Sequence, residues 1–481
     1  KESLSAETSD TSAYFCEKAI GLSRDYFGMI IPKSMAFYAT WEGIREWMLQ
    51  NAPLKTLLDA GIAFEDVVFE SFVITANLKS NESETELYTC IPLRTPELTK
   101  EIVSIGDVER QYLIDTKSII LKCNDEIQNL LEKIEERSIF FGDIEQEIFG
   151  NLNLTTAKRA TDLSEEELIG QPYLSLTERQ GHIPFVRRDP HLKKYLILEY
   201  YYIPLTDAIT ELVEGKTGPR LFIKPLRGNR LVCYAHTTGE LATHHHMISI
   251  TFNRPEISLK FVEPVINSFI ASFWIQKMVF CDTTETAREM NKPYMRRIPI
   301  PRISFVTPEN ERSAEVERLI EVYNEGRLNS DAIKSGADEF INPLLEKNFA
   351  PDPAKVAVHN ADELNAEYQI PDGASWDRTD VLHDFLAHLA GRMTEFARRR
   401  YILDEWDKGN VESGSVEEGE ILDILAEQGR ELNHRDVRTT REEYAALFDN
   451  TDALIDAIIY RLYNLTPEEI AIVEGYFEGG E

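Results

Sequence analysis

Between Lys216 and Gly239 the chain places Lys216, Arg220, Lys224, Arg227 and Arg230 with no Asp or Glu among them. Guanidinium groups form forked bonds to phosphate oxygens and to the major-groove edge of guanine, so a basic loop on a strand-rich scaffold is a reader of duplex DNA. In "LRGNR" the Gly-Asn turn pushes its flanking arginines outward, which makes Arg227 and Arg230 the expected base-edge readers. Lys216, Arg220 and Lys224 are expected on phosphates, where they set affinity rather than sequence. A second cluster, "YMRRIPIPRISF", adds Arg296, Arg297 and Arg302. The competing reading pairs all these cations with nearby carboxylates.

Four histidines, His236 and His244 to His246, form another chemical cluster. On a strand, His244 and His246 would share a face. No cysteine or carboxylate stands at ligand spacing beside them, so a structural or DNA-facing role is expected and no metal site is assigned. Phosphate loops, Gly-x-Ser-x-Gly elbows and His-Glu-x-x-His pairs are absent, and no catalytic residue is assigned.

These groups sit in a chain of 481 residues, 43% apolar and 10% aromatic, which is long enough for two to four domains. Its net charge of -32 disfavours nucleic acid in general and makes the acid-free stretch informative. Five scattered cysteines imply no disulfide framework. With no leader-like start and no long apolar run, the expectation is a cytoplasmic protein with no membrane partner.

The elements that must hold these groups fall into three stretches. From Ala13 the pattern alternates helix and apolar strand: "YFGMIIP" reads as a buried strand, "WEGIREWMLQN" as a helix with Ile44, Trp47 and Met48 inward, and "LKTLLDAG" and "DVVFESFVITANL" as further strands. Residues 79–115 are polar with short β-prone pieces, and 116–136 reads as one long amphipathic linker helix. From about 160 to 310, aromatics, prolines and β-branched residues predict a strand-rich α/β domain. Residues 311–481 are helical in pattern, with "SAEVERLIEVYNEG" starting at a capping serine and stopping at Gly326.

This order of parts resembles the C-terminal portion of adenine-specific DNA methyltransferases of the type IIG restriction-modification family. "SAYFCEKAIGLSRDYFGMIIPKSMAF" is similar to a methylase helix and strand, and "LLDAGIAFEDVVFESFVITAN" to the end of the methylase sheet. "VEPVINSFIASFWIQKM" and "IPIPRISF" resemble the helix and exit motif of target-recognition domains, and "IIYRLYNLTPEEIAIVEGYF" the usual ending. The resemblance implies a fold class of α/β: a partial Rossmann-like methyltransferase sheet in 1–115, a linker helix and DNA target-recognition domain in 116–310, and a helical scaffold in 311–481. It also implies that Phe64 stacks on the flipped adenine, with Phe69 as its rival.

The resemblance also has a gap. The family's Phe-x-Gly-x-Gly turn for S-adenosylmethionine and its Asn-Pro-Pro-Tyr loop occur nowhere in the sequence. The expectation is therefore a chain that binds duplex DNA and uses S-adenosylmethionine only with the front half of the domain, supplied upstream or by a separate polypeptide. The rivals are an acidic DNA-mimic regulator and a structural assembly subunit.

Overall fold

The computed structural model describes residues 11–63, 69–80, 82–92, 100–150, 152–172, 180–224, 229–283, 290–305, 307–345 and 377–478. A helix, Thr11–Leu22, opens the described chain and leads into strand β1, Tyr26–Pro32. A second helix, Glu42–Asn51, follows, and then come β2 (Leu54–Gly61), β3 (Ser71–Asn77), β4 (Glu84–Pro92) and β5 (Lys100–Glu109). They form one sheet in the order β1-β3-β2-β4-β5. β3 runs antiparallel to both β1 and β2, which are therefore parallel to each other; β4 is parallel to β2, and β5 antiparallel to β4.

The two faces of this sheet differ. Register aligns Met29, Ile74, Leu57 and Leu87 across the inner face, where the last three are fully buried. One residue along each strand, Ile30, Val73, Leu58 and Tyr88 form an equally apolar row on the outer face, and none of the four is buried. Alternating side chains make one covered and one uncovered face. β1 is an edge strand, with no strand on its other side among the described residues. The expected helix 116–136 is instead two helices, Arg110–Thr116 and Asp125–Glu136, separated by the irregular, mostly buried "SIILKC" stretch that follows Lys117 at φ +53°.

The strand-rich part holds a four-stranded sheet from Glu145–Gly150, Ile248–Phe252, Arg220–Ile223 and Cys233–His236, and a three-stranded sheet from Tyr201–Pro204, His182–Val186 and Ala242–Thr243. "HHHMISITF" is a continuous strand only from Ile248; His244 makes an isolated bridge to Leu152, and His245 and His246 lie in the turn that follows. Helices Leu259–Asn267 and Phe269–Trp274 continue into a π-helical stretch, Ile275–Val279. Nearly all of this run is buried, and one hydrophobic core spreads through it from Ala13 to Val473, joining the first sheet to the C-terminal helices.

Polar side chains explain how that helix docks. Glu263 and Asn267, four residues apart and both fully buried, face Ala235 and Cys233, two residues apart on the Cys233–His236 strand. Glu263 Oε1 accepts from the Ala235 amide at 2.9 Å; Asn267 accepts from the Cys233 amide at 2.9 Å and donates to its carbonyl at 3.1 Å. Four helical residues rise about 6.0 Å and two strand residues about 6.6 Å, so the spacings match. The strand's open edge is thus closed by side chains rather than by another strand.

Long helices Thr379–Asp407 and His434–Leu462 and the final Pro467–Glu478 form the rear layer. The "SAEVERLIEVYNEG" helix begins at Glu309, before its serine, and ends as read, beside Gly326 at φ +70°. Among the described residues no helix is long and apolar enough to cross a membrane.

Candidate functional site

The carboxyl ends of β1 and β2 and the start of β3 meet at one rim of the first sheet, the rim at which open α/β sheets bind ligands. Lys33 follows β1, Asp59 lies near the end of β2 and Glu70 precedes β3. Lys33, 1% exposed, places Nζ 3.0 Å from Asp59 Oδ2, 3.1 Å from Glu70 Oε2 and 3.2 Å from the Asp282 carbonyl. Burial alone lowers the Lys33 pKa, but Asp59 and Glu70 outweigh it and hold it above the ordinary lysine value. Lys277 Nζ bonds Asp282 Oδ2 at 3.1 Å, Lys122 reaches Asp59 at 3.4 Å, and Thr283 Oγ1 donates to Glu70 at 2.8 Å. Three cations balance three carboxylates, so the network is electrostatically closed.

The turn completing this floor carries Cys281 at φ +52° and Asp282 at φ +55°, left-handed values costly for residues with a Cβ. They follow directly on the π-helical stretch, and the Lys33 and Lys277 contacts hold the turn in place. Chemically the cluster is a clamp: every carboxylate in it is engaged by a cation, which disqualifies it as a general base. It fixes both ends of the 60–70 loop. Phe64 lies outside the described residues, whereas its neighbours Ile62 and Phe69 are exposed, by 54% and 62%. Of thirteen exposed large apolar side chains described, eight precede residue 70: Tyr14, Phe15, Leu22, Tyr26, Ile30, Tyr38, Ile62 and Phe69.

The structure scatters the expected DNA-contacting cations. Arg220, 2% exposed, donates from Nε to the Gly218 carbonyl at 2.7 Å and from a terminal nitrogen to the Gly215 carbonyl at 3.2 Å. Arg230 bonds the Asn267 carbonyl at 3.0 Å and lies 3.5 Å over the Phe269 ring. Arg297 bonds Ser118 Oγ at 2.6 Å, and burial, with Arg45 nearby, lowers its pKa. Arg302 donates to the Ser138 carbonyl at 2.6 Å, and Arg296 is ion-paired with Glu145. Each of these five thus has a partner within the chain, Arg220 and Arg230 through main-chain carbonyls and Arg296 through an ion pair on the surface. Lys216, whose Nζ bonds the Leu212 carbonyl at 3.3 Å, and Lys224 are half-buried; Arg227 lies outside the described residues.

Beside Arg230, Asp456 is fully buried and its pKa is pushed up to about 6, by burial first, with Asp452 adding to the rise and Lys194 and Arg230 opposing it. A carboxyl raised above its unfolded value of about 3.9 favours the fold at low pH. That contribution is whole below about 3.9 and is lost as pH rises through about 6. Asp456→Asn should therefore flatten the stability profile between pH 4 and 6, read as the thermal midpoint across that range; an unchanged profile would contradict this account.

A different basic surface was passed over in the sequence because Asp189 interrupts it: "VRRDPHLKK", 186–194. Arg188 and Lys193 are exposed there. Burial lowers the His191 pKa; Glu199 opposes this, and the charges of Arg188, Arg187 and Lys193 add to it, placing these cations together. Arg187 is ion-paired with Glu165. Lys193 borders a cleft of about 800 Å³ whose opposite wall carries the exposed Arg400, 5.5 Å over the Phe448 ring. Counting cations per window, and not only acid-free windows, would have found it.

Comparison with known proteins bears on the first sheet. Residues 1–64 match the family model described as Eco57I restriction-modification methylase. Among solved structures the type IIG restriction endonuclease BpuSI is similar at 12% identity and a TM-score of 0.29, over 81% of this chain and 50% of that one. The chain thus spans half the length of that enzyme, and at that score the superposition carries no argument. No curated protein matches. The resemblance to restriction-modification methylases is borne out, as is the mixed α/β class.

Proposed function

We propose that this chain supplies the rear of the methylase domain and the DNA-recognition part of an adenine-specific, S-adenosylmethionine-dependent DNA methyltransferase of a restriction-modification system. One coincidence carries the reading: the segment matching the methylase family contains β1, one of the sheet's two edge strands, and seven of the thirteen exposed large apolar side chains among the described residues. A long apolar edge strand is ordinarily paired or covered. The front half of the domain, upstream or on a separate polypeptide, would add its strands beside β1 and its helices over the row Ile30, Val73, Leu58 and Tyr88.

S-adenosylmethionine would supply the methyl group in that assembly, but the residues of this chain do not fit it by themselves. Gly61, at the carboxyl end of β2, faces open space instead of a close backbone approach, and the glycine-rich motif is missing from the sequence. No step is assigned to this chain beyond positioning the 60–70 loop, where Phe64 would stack on the extruded base. In the recognition part, Arg188, Lys193 and Arg400 are the phosphate contacts best supported by exposure, with Lys216, Lys224 and Arg227 as further contacts.

The test joins the chain with a polypeptide carrying the glycine-rich turn and the Asn-Pro-Pro-Tyr loop and measures methyl transfer to duplex adenine together with DNA affinity at several salt concentrations. Transfer should require both halves. Arg188, Lys193 and Arg400 alone predict a slope of log affinity on log salt of about -2.7, or about forty-fold weaker binding from 50 to 200 mM, and each further phosphate contact steepens the slope by about 0.9. Binding that ignores salt, or methyl transfer by this chain alone, would refute the proposal; capture of a basic protein with no DNA affinity would favour an acidic mimic.

A further inference from the structure

The three consecutive histidines, assigned no metal on sequence grounds, have a geometry that changes that reading. Successive side chains on a strand point to opposite faces, so three in a row cannot converge there. Here the chain leaves its strand at Thr243, turns through His245 and His246, and re-enters a strand at Ile248. The Met247 amide closes the turn on the His244 carbonyl at 3.0 Å. The ring centroids are 4.2, 4.8 and 4.1 Å apart, and one ring nitrogen from each histidine lies within 4.8 Å of the others.

The backbone beneath the rings is anchored from three sides. The His244 amide donates to the Val186 carbonyl at 3.0 Å and the His245 amide to the Leu152 carbonyl at 3.2 Å. Gly150 approaches so closely that a Cβ there would stand 2.7 Å from the His245 carbonyl oxygen. A turn held this way spends little further ordering to bring its side chains to a common ligand. His244 and His245 are half-buried and His246 is exposed, so the nitrogens are shielded on one side and reachable on the other.

We propose that His244, His245 and His246 bind one divalent transition metal ion of the zinc class. Neutral imidazole suits zinc, nickel and copper, whereas a set without carboxylates gives magnesium or calcium nothing to bind. Three imidazoles leave one tetrahedral position to water. The ion stitches the Ala242–Thr243 edge of the three-stranded sheet to the Ile248–Phe252 strand of the four-stranded sheet, because the triad is the turn between them. The inference stands on this turn alone and is independent of any methylase or DNA reading.

The experiment uses the full chain without an affinity tag, stripped of metal, titrated with Zn²⁺ by calorimetry and with Co²⁺ by visible absorption. One equivalent should bind, Co²⁺ should give the intense bands of a four-coordinate site, and Zn²⁺ should raise the thermal midpoint. Exposed His246 can be replaced without disturbing the core; His246→Ala and His246→Gln should melt with the metal-free protein, bind about tenfold or more weakly, and lose the Zn²⁺-dependent rise. His244→Ala should behave likewise if it folds, and the His246 variants decide the matter if it does not. Wild-type stoichiometry and affinity in the His246 variants, or no binding by the wild-type chain at millimolar Zn²⁺, would overturn the proposal.

Discussion

Replacing Lys33 by methionine is expected to destabilise the chain by about 3–5 kcal/mol, the cost of leaving buried carboxylates without their cation. Lys33 is the contact shared by Asp59, Glu70 and the Asp282 carbonyl, so its loss opens the rim where three strand ends meet. Urea unfolding reads the change directly as a shift in midpoint. The triple variant Lys33→Met, Asp59→Asn, Glu70→Gln should recover much of the loss, since Lys277 keeps Asp282 and the one charge left without its partner, that of Lys122, sits on a side chain 39% exposed to water. A single-variant loss below about 1 kcal/mol would mean that the network is solvated rather than closed. The pH dependence has a definite sign. The Lys33 pKa is raised, so its contribution is complete below the unfolded lysine value of about 10.4 and disappears as pH climbs through the folded value. Wild-type protein should therefore lose stability in strong alkali more steeply than the methionine variant.

The second large effect is expected at Asn267. Its alanine variant leaves the Cys233 amide buried without an acceptor and takes from the Cys233 carbonyl its shorter bond, the other being 3.4 Å from the Tyr195 amide. An orphaned buried donor costs about 1–3 kcal/mol, and the cavity adds to it, so a total of about 2–4 kcal/mol is expected. Glu263→Gln should be much milder, because the amide oxygen still accepts from the Ala235 amide. Hydrogen exchange at Cys233 and Ala235 separates the cases: Asn267→Ala should speed exchange at Cys233 before Ala235. Equal protection in both variants would show that the strand edge is closed by something other than these side chains.

The parts legible in the sequence were short apolar runs bounded by turn residues, although the burial expected on both faces of "YFGMIIP" is found on one only, Tyr26 and Ile30 being exposed. "YFGMIIP" and "LKTLLDAG" became β1 and β2 at the residues read, because short apolar runs ending in proline or glycine admit few alternatives. Residues 79–115 read as polar with short β-prone pieces, yet β4 and β5 there are nine and ten residues long. Neither alternates cleanly between charged and apolar residues, and their register shifts at Leu87/Tyr88, so periodicity alone gives no continuous strand there. Arg45, read past in favour of Trp47, is 4% exposed and bonds the Met35 and Tyr38 carbonyls at 2.9 and 3.2 Å.

The cations misled for a related reason. An acid-free window says that no carboxylate is adjacent in sequence, but Arg220 and Arg230 find their partners in main-chain carbonyls, which composition does not display. The histidine turn was missed because a strand was assumed through His244, and convergence of three neighbours exists only where the strand stops.

The bare flank of β1 also governs how such a chain has to be made. Among the described residues no strand pairs with its outer side, beside Tyr26 and Ile30, and such an edge is a template for any passing extended segment, a second nascent copy included. Synthesised in isolation and at high concentration, copies would zip together flank to flank and drop out as aggregates. Whatever covers that flank in the finished assembly then matters as much to yield as any contact inside the fold.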